Sequence, residues 1–196
     1  MTRKPSRKQQ AENTRKLLIE KASALLAAKT LDSISIQELC RSAGVSVGAF
    51  YHHFENKASI IIELYRDCDK YFTQEVIPRF ENVEPSRAII DYLICQCDYA
   101  VKMGVDLMQN AYKAQINYGN EFFLSAGRGL PLGLKKQIVK AKKAGLIRPD
   151  LSEEVLTGEL LIMSRGIIYY WCVSQGEIDM KDVIQRIVVK YLEGCR

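Results

Sequence analysis

Apolar residues recur every three or four positions along most of this chain, which is the spacing of one face of an α-helix. No segment alternates apolar and polar residues for long enough to predict a β-strand, and there is no internal repeat. The pattern therefore predicts an all-α protein. The predicted helices cover residues 10–28, 35–42, 47–53, about 56–72, 85–119 with a break at Gly104, 135–143, 152–172 and 180–192.

The spacing of these helices predicts two parts. Three short helices form a head over residues 1–57, a fourth helix over about 56–72 links it to the rest, and a larger helical body follows over residues 73–196. Residues 125–133 are rich in glycine, and this stretch is predicted to be a loop.

The second and third helices of the head carry unusually clear boundary signals. Ser35 is followed three residues later by Glu38, the spacing of a capping box, and Ser46 is a second N-cap. Between them Gly44 provides the residue that tolerates positive φ in a tight turn. Apolar residues occur where the pair must be buried against the first helix, at Leu39, Val45 and Phe50. These features predict a helix-turn-helix.

The distribution of charge along the chain agrees with binding of a polyanion by the head. The chain has 28 Lys and Arg against 23 Asp and Glu, a net charge of +5. Residues 1–57 hold 10 basic and 5 acidic residues, whereas residues 58–196 hold 18 of each. The excess positive charge therefore lies in the head, as binding to a polyanion requires. A solvated basic tail, formed by Arg3, Lys4, Arg7 and Lys8, explains the charge about equally well and stays an alternative.

Composition excludes several other classes. Apolar residues make up 47% of the chain, enough for a sizeable core and too many for a disordered protein. No apolar run reaches the roughly 18 residues of a membrane span, and the N-terminus lacks the pattern of a signal peptide. We expect a soluble cytoplasmic protein with no membrane partner.

The residues that usually carry catalysis or bind metal are scarce or badly spaced. The six cysteines include no C-x-x-C pair, and Cys95 and Cys97 fall on different faces of a helix. Both histidines lie in the head, and residues 125–129 lack the Gly-Lys-Ser/Thr ending of a phosphate loop. We expect reduced core cysteines, no metal, no cofactor and no enzymatic activity, although carboxylate catalysis stays open.

A resemblance to a known family appears at residues 45–57, which read VSVGAFYHHFENK. This segment resembles the signature of TetR (tetracycline-repressor-like) transcriptional regulators, in which an aromatic-rich ending follows the recognition helix and a Lys begins helix four. The resemblance covers residues 13–65 and weakens beyond them. Val47 departs from the pattern, because many members carry Lys, Arg or a polar residue there, and the change removes a possible donor to a base edge.

The resemblance implies a DNA-binding head and assigns its contacts. The residues implied to lie nearest the base edges are Ser46, Val47, Gly48 and Ala49, where Val47 or Ala49 offers apolar contact to a thymine methyl. The residues implied to contact the DNA backbone are Ser35, Tyr51, His52, His53 and Lys57. Phe50 and Phe54 are predicted core. The alternative for Tyr51, His52 and His53 is that they are ordinary surface residues.

The last two helices predict an interface between two copies of the chain. Residues 155–171 are apolar on more than one side, with glycines spaced so that a partner helix can approach closely. The family resemblance implies a homodimer joined by a four-helix bundle, and a dimer predicts a near-palindromic DNA site. The predicted interface residues are Leu156, Gly158, Ile162, Gly166, Ile184, Ile187, Val188 and Tyr191. The alternative is that both helices complete the core of a monomer.

A small-molecule pocket in the body is also predicted, without a named ligand. Aromatic and Met residues on the middle helices could line an apolar cavity, and one arginine could meet an anionic group. The predicted set is Tyr99, Met103, Met108, Tyr112, Phe122, Phe123, Met163 and Arg165. Plain core packing is the alternative for each of them.

Taken together, the sequence predicts an all-α transcriptional regulator. Its helix-turn-helix head would bind double-stranded DNA, and its body would dimerise and bind an unknown small-molecule effector. Repression is the family's usual behaviour. The competing hypothesis is a helical protein-interaction or small-molecule-binding module that does not read DNA.

Overall fold

The computed structural model describes residues 6–118 and 120–196, and within them helices are the only regular secondary structure. The predicted all-α fold is confirmed. Arg3, Lys4 and Gly119 lie outside the described residues. The helices are α1 (Arg7–Leu26), α2 (Ile36–Ala43), α3 (Val47–His53), α4 (Ala58–Tyr71), α5 (Ile77–Arg79), α6 (Pro85–Met103), α7 (Val105–Tyr118), α8 (Asn120–Leu124), α9 (Gly129–Lys143), α10 (Glu153–Val173) and α11 (Met180–Glu193), with a π-helical turn at Phe72–Val76.

The chain folds into two compact units. The first unit holds the described residues through Tyr65 together with Asp106–Phe122, and the second holds Arg66–Val105 together with Phe123–Arg196. The functional division into a head ending at residue 57 and a body beginning at residue 73 stays a prediction.

The first unit is built around the amino-terminal helices. Helix α1 packs against α2 and α3, and α2 packs against α3. Each helix turns apolar side chains towards one shared core and leaves its polar residues on the other faces. The buried set includes Leu18, Leu26, Leu39, Phe50, Ile60, Ile61 and Ala111.

The second unit has an aromatic centre. Helix α6 packs against α9 and α11, and α10 packs against α9 and α11. Tyr92 on α6 is fully buried, and its ring lies 5.4 Å from the rings of Phe72 and Phe80. Its hydroxyl donates to the carbonyl of Leu130, 3.1 Å away, so the buried polar atom is satisfied.

The predicted loop at residues 125–133 is wrong in its second half, since α9 begins at Gly129. A Cβ at Gly129 would lie 2.5 Å from the carbonyl oxygen of Asp69, and one at Gly133 would lie 2.6 Å from the Tyr92 ring. These glycines therefore allow α9 to pack closely, and they do not mark a flexible loop.

A buried ion pair holds the start of α9. Arg128 precedes the helix, and its guanidinium donates to both carboxylate oxygens of Asp69 at 2.8 and 3.2 Å. The Arg128 side chain is almost fully buried, so this bidentate pair is shielded from solvent.

Among the described residues, no helix is both long enough and apolar enough to cross a membrane.

Candidate nucleic-acid interface

Helices α2 and α3 form a helix-turn-helix whose boundaries are set by three residues. Ser35 Oγ accepts a hydrogen bond from the backbone N–H of Glu38 at 3.0 Å, and Ser46 Oγ accepts one from that of Ala49 at 3.1 Å. Gly44 ends α2 in the left-handed conformation, with φ +64°. The predicted caps and turn are confirmed, and they fix where the two helices meet.

The acidic residue of the capping box stays charged. A hydrogen bond from Lys29, with Nζ 2.5 Å from Oε1, lowers the pKa of Glu38, and the backbone N–H of Ser35 lowers it further. The carboxylate is therefore maintained near the start of α2, where it interacts favourably with the helix dipole.

One face of α3 is exposed and the opposite face is buried. Ser46, Val47 and Gly48 are exposed, and Ala49 is half-buried. Tyr51, one turn further on, is 56% exposed. We call these five residues the recognition face. Their exposure makes them available to a large partner such as a DNA groove.

The buried side of α3 is anchored by aromatic residues. Phe50 is fully buried, and Phe54, which follows the helix, is 3% exposed. Their rings lie 5.5 Å apart, and the guanidinium of Arg15 lies over the Phe54 ring. Both residues belong to the core, as predicted, and they fix the orientation of α3 on α1.

The two histidines differ in environment. His52 is exposed, whereas His53 is half-buried. Burial lowers the pKa of His53, and the positive charges of His52 and Arg15 lower it further. In the chain without DNA, this environment favours the neutral form of the His53 imidazole.

The ammonium group of Lys57, which was predicted to contact a DNA phosphate, is already hydrogen-bonded within the chain. It donates to the carbonyls of Leu31 at 2.9 Å, Ile34 at 2.8 Å and Asp32 at 3.4 Å. The side chain thus fastens the segment between α1 and α2. Its predicted contact with phosphate is untested and would compete with these hydrogen bonds.

Sequence reasoning missed Asn110 on α7. Its side chain is 5% exposed and makes hydrogen bonds to backbone groups of Leu26, Lys29 and Leu31. The signal that could have found it is an amide side chain in the register of buried apolar residues, between Leu107 and Ala114.

The predicted pocket residues are distributed over both units. Met108, Tyr112 and Phe122 belong to the first unit, and the other five belong to the second. Within the second unit, Tyr99 packs on the ring of Tyr71, with centroids 5.2 Å apart. Arg165 donates to the carbonyl of Phe123 at 3.5 Å. A ligand role for the set stays a prediction.

Helix α10 presents an exposed apolar stripe, continued by Ile187 on α11. Five large apolar residues of the stripe are more than half exposed, namely Val155, Ile162, Tyr169, Tyr170 and Val173. Gly158 and Gly166 lie among them and are exposed as well. We call this surface the α10 face. A groove of about 520 Å³ runs along it between α10 and α11, lined by residues that include Met163 and Arg186.

The predicted interface set needs a correction. Leu156 is 2% exposed, and Ile184 and Val188 are fully buried in their own chain. They are core residues that leave almost no side-chain area for a partner, because the periodicity does not distinguish the two apolar sides of each helix. Tyr191 is half-buried and donates from its hydroxyl to Glu159.

Within the part of the chain that the structure describes, no group of three or more His, Cys, Asp or Glu side chains could hold a metal ion. None of the six cysteines, all of which lie within the described residues, forms a disulfide, and five of them are buried.

Comparison with known proteins places the helix-turn-helix in a described family. The profile of "Bacterial regulatory proteins, tetR family" matches residues 18–64. The HTH-type transcriptional regulator AcrR of Shigella flexneri is 35% identical over 58 residues, which cover 30% of this chain and 27% of that protein. The Transposon Tn10 TetC protein of Escherichia coli is 32% identical over 77 residues, which cover 37% and 39%. The chain therefore matches about a third of the length of these curated relatives.

The fold as a whole also has solved counterparts. The structure of Thermus thermophilus FadR, a TetR family transcriptional repressor in complex with lauroyl-CoA, superposes with a TM-score of 0.74. The alignment covers 93% of this chain and 95% of that one at 18% identity. At this level of identity the likeness shows a shared fold.

Proposed function

We propose that this chain, which belongs to the TetR family of bacterial regulatory proteins, is a sequence-specific, DNA-binding transcriptional regulator. Its action is repression, relieved when a small molecule binds. The observation that carries the proposal is the recognition face, an exposed surface on a short helix whose opposite side is fixed by the buried ring of Phe50. A helix held in this way can enter a major groove without unfolding the head.

The residues divide into two kinds of contact. Val47 and Ala49 read base edges by apolar contact, since neither has a hydrogen-bonding side chain. Tyr51 and His52, exposed on the last turn of α3, contact phosphates and set the register on the duplex. Ser35 and Ser46 use their side chains as helix caps, so their part in DNA binding is to position α2 and α3.

A second copy of the chain completes the site. The α10 face exposes apolar side chains together with two glycines, the composition expected of a surface buried by a partner helix. A two-fold dimer places two recognition helices about 34–36 Å apart, one turn of the double helix, so the operator is near-palindromic.

The first experiment is selection of duplexes from a random pool with the purified protein, followed by footprinting across a salt series. We expect a near-palindromic consensus, with two protected half-sites whose affinity falls steeply with salt. Failure to enrich any sequence or to protect any duplex at low salt would refute the proposal. The chain would then be better described as a protein-interaction or small-molecule-binding module.

A substitution on the recognition face tests whether its side chains contact base edges directly. Val47→Ser replaces an apolar contact with a hydroxyl at a residue that is 36% exposed, so the fold should tolerate it. We expect the preferred base to change at one symmetric position in each half-site while the salt dependence stays the same. Val101→Ser, which alters a valine exposed to 56% on α6, is the matched control and should select the native consensus.

The dimer is tested by sedimentation equilibrium of Ile162→Asp. Ile162 is 71% exposed in the single chain, so the charge should disrupt association without disturbing the core. Ile116→Asp, at a residue exposed to 77% on α7, controls for the added charge. A dimer unaffected by Ile162→Asp would place the interface elsewhere.

The proposed effector is a small molecule. Since the structural counterpart from Thermus thermophilus binds lauroyl-CoA, long-chain acyl-CoA is a reasonable first probe. Release of the selected duplex by lauroyl-CoA, and not by free CoA, would support an acyl ligand. Retention of the duplex at saturating lauroyl-CoA would exclude this ligand and leave DNA binding intact.

The same proposal places the protein in the cytoplasm, where its DNA target lies, and gives it no catalytic role. The similarity to AcrR of Shigella flexneri, which is named as a transcriptional regulator, supports this assignment.

A further inference from the structure

The side chain of Asn110 lies on α7 but bonds mainly to the end of α1 and to the segment that joins α1 to α2. Its Nδ2 lies 3.1 Å from the carbonyl oxygen of Leu26 and 3.0 Å from that of Lys29. Its Oδ1 accepts the backbone N–H of Leu31 at 3.2 Å. A single buried amide therefore fixes three backbone groups that are close in sequence to one another and distant from α7.

These contacts satisfy groups that α1 cannot satisfy by itself. The last carbonyls of an α-helix have no partner within the helix. The C-cap of α1 is Ala27, in the right-handed conformation, so α1 has no glycine cap. Asn110 donates to the carbonyl of the last helical residue, Leu26, and to that of Lys29 just beyond it. Its third acceptor, the carbonyl of Asp106 at 3.0 Å, belongs to α7 itself.

The hydrogen bonds continue from Asn110 towards the helix-turn-helix. Leu31 donates its backbone N–H to Asn110, and its backbone carbonyl accepts from Lys57 Nζ at 2.9 Å. Lys57 also donates to the carbonyl of Ile34 at 2.8 Å, and Ile34 directly precedes Ser35, the N-cap of α2. These hydrogen bonds form a continuous path from Asn110 on α7 through Leu31 and Lys57 to Ile34, at the start of the helix-turn-helix.

We propose that Asn110 is a positioning residue for DNA recognition, through which α7 determines where the helix-turn-helix lies. The proposal rests on the proposed function and adds its means of control. Helix α7 follows α6 in the chain after a break at Gly104. A conformational change that moves α7 would act on the start of α2 through Asn110, Leu31 and Lys57. An effector can in this way change DNA affinity without touching α3.

The test is Asn110→Leu, which keeps a side chain of similar size and removes every hydrogen bond of the amide. We expect the dissociation constant for the selected duplex to rise by about tenfold or more, since three tertiary hydrogen bonds are lost. Binding to duplexes of unrelated sequence should weaken much less, and the slope of affinity against salt should stay the same, because non-specific phosphate contacts tolerate a displacement that contacts to base edges do not. A merely structural role would weaken both kinds of DNA equally.

Hydrogen exchange provides a readout that needs no DNA. In the native protein the Leu31 amide should exchange slowly, and in Asn110→Leu it should exchange at least about tenfold faster, since its acceptor is gone. Asn117→Leu, at an exposed asparagine on the same helix, is the matched control and should leave both exchange and DNA binding as in the native protein. If Asn110→Leu does not fold, Asn110→Ser, which is too short to reach the α1 carbonyls, takes its place.

The outcomes separate the two proposals. A native protein that selects no duplex refutes the proposed function, and this inference fails with it. A native protein that selects a duplex, with an Asn110 variant that binds it equally well or exchanges Leu31 at the native rate, refutes only the role of Asn110. Equal weakening on specific and unrelated DNA also overturns that role.

Discussion

The close packing at Gly133 allows a quantitative prediction for Gly133→Ala. A Cβ at this position would lie 2.6 Å from Tyr92 Cζ and 2.7 Å from Ile77 Cγ1, and it would collide with the Tyr92 hydroxyl. The ring has nowhere to move, because Tyr92 is fully buried between Phe72 and Phe80.

Three contributions decide the size of the effect. Overpacking a core by one methyl costs about 1–3 kcal/mol. Displacing the Tyr92 hydroxyl from the carbonyl of Leu130 costs a further ~1 kcal/mol, while Ala gains ~1 kcal/mol over Gly in a helix. We therefore expect unfolding free energy to fall by about 2 kcal/mol, and the melting temperature to fall by about 4–8 °C.

The assay is urea unfolding followed by the fluorescence of Trp171, the chain's single tryptophan, which is buried in the same unit as Gly133. Gly158→Ala is the control, since a Cβ there meets nothing within 4 Å and should leave the protomer as stable or more so. The two variants are compared at protein concentrations that give them the same oligomeric state. Adding Tyr92→Phe to Gly133→Ala should recover part of the loss. A Gly133→Ala protein as stable as the native one would refute the argument.

Three further outcomes follow from burial. Phe50→Ala should destabilise the first unit by about 3–5 kcal/mol in thermal unfolding followed by circular dichroism, because a fully buried ring is lost, and native stability would contradict its anchoring role. Asp69→Asn should cost the second unit about 3 kcal/mol in urea unfolding, since it leaves the buried Arg128 guanidinium without its carboxylate, and an unchanged midpoint would show that the pair is dispensable. Burial raises the pKa of the Cys68 and Cys97 thiols to about 12 from 9.0. Between pH 9 and 12 the unfolded chain therefore loses thiol protons that the folded chain keeps, and the free energy of unfolding should fall as pH rises through this range. Urea titrations at several pH values measure this change. An unfolding free energy that does not vary over this range would mean that these thiols ionise equally in both states.

Local signals in the sequence were enough to predict the helix-turn-helix. Ser35, Gly44 and Ser46 act on backbone groups within three residues of themselves, so their effect can be deduced without knowing the rest of the fold. The burial of Phe50 follows equally from its place on the helix opposite the exposed residues.

The features that were missed depend on distant partners. The glycines at 129 and 133 match a loop in the sequence, and only the closeness of Asp69 and Tyr92 explains them as packing sites. Periodicity showed that α10 and α11 are apolar on two sides without revealing which side meets the core, so Leu156 was assigned to the wrong one. The partners of Lys57 are backbone carbonyls, which every residue has, so no residue type in the sequence indicates them.

The separation between the two sides of α3 has a consequence for how such a protein can diversify. Val47, Gly48 and Tyr51 are exposed, whereas Phe50, on the same short helix, is fully buried and holds the helix in place. Substitutions on the outer side should therefore cost less stability than substitutions at Phe50, so selection removes fewer of them. If the proposed function holds, a new operator preference can arise by drift, or be installed by design, through a few exchanges on a scaffold that stays the same.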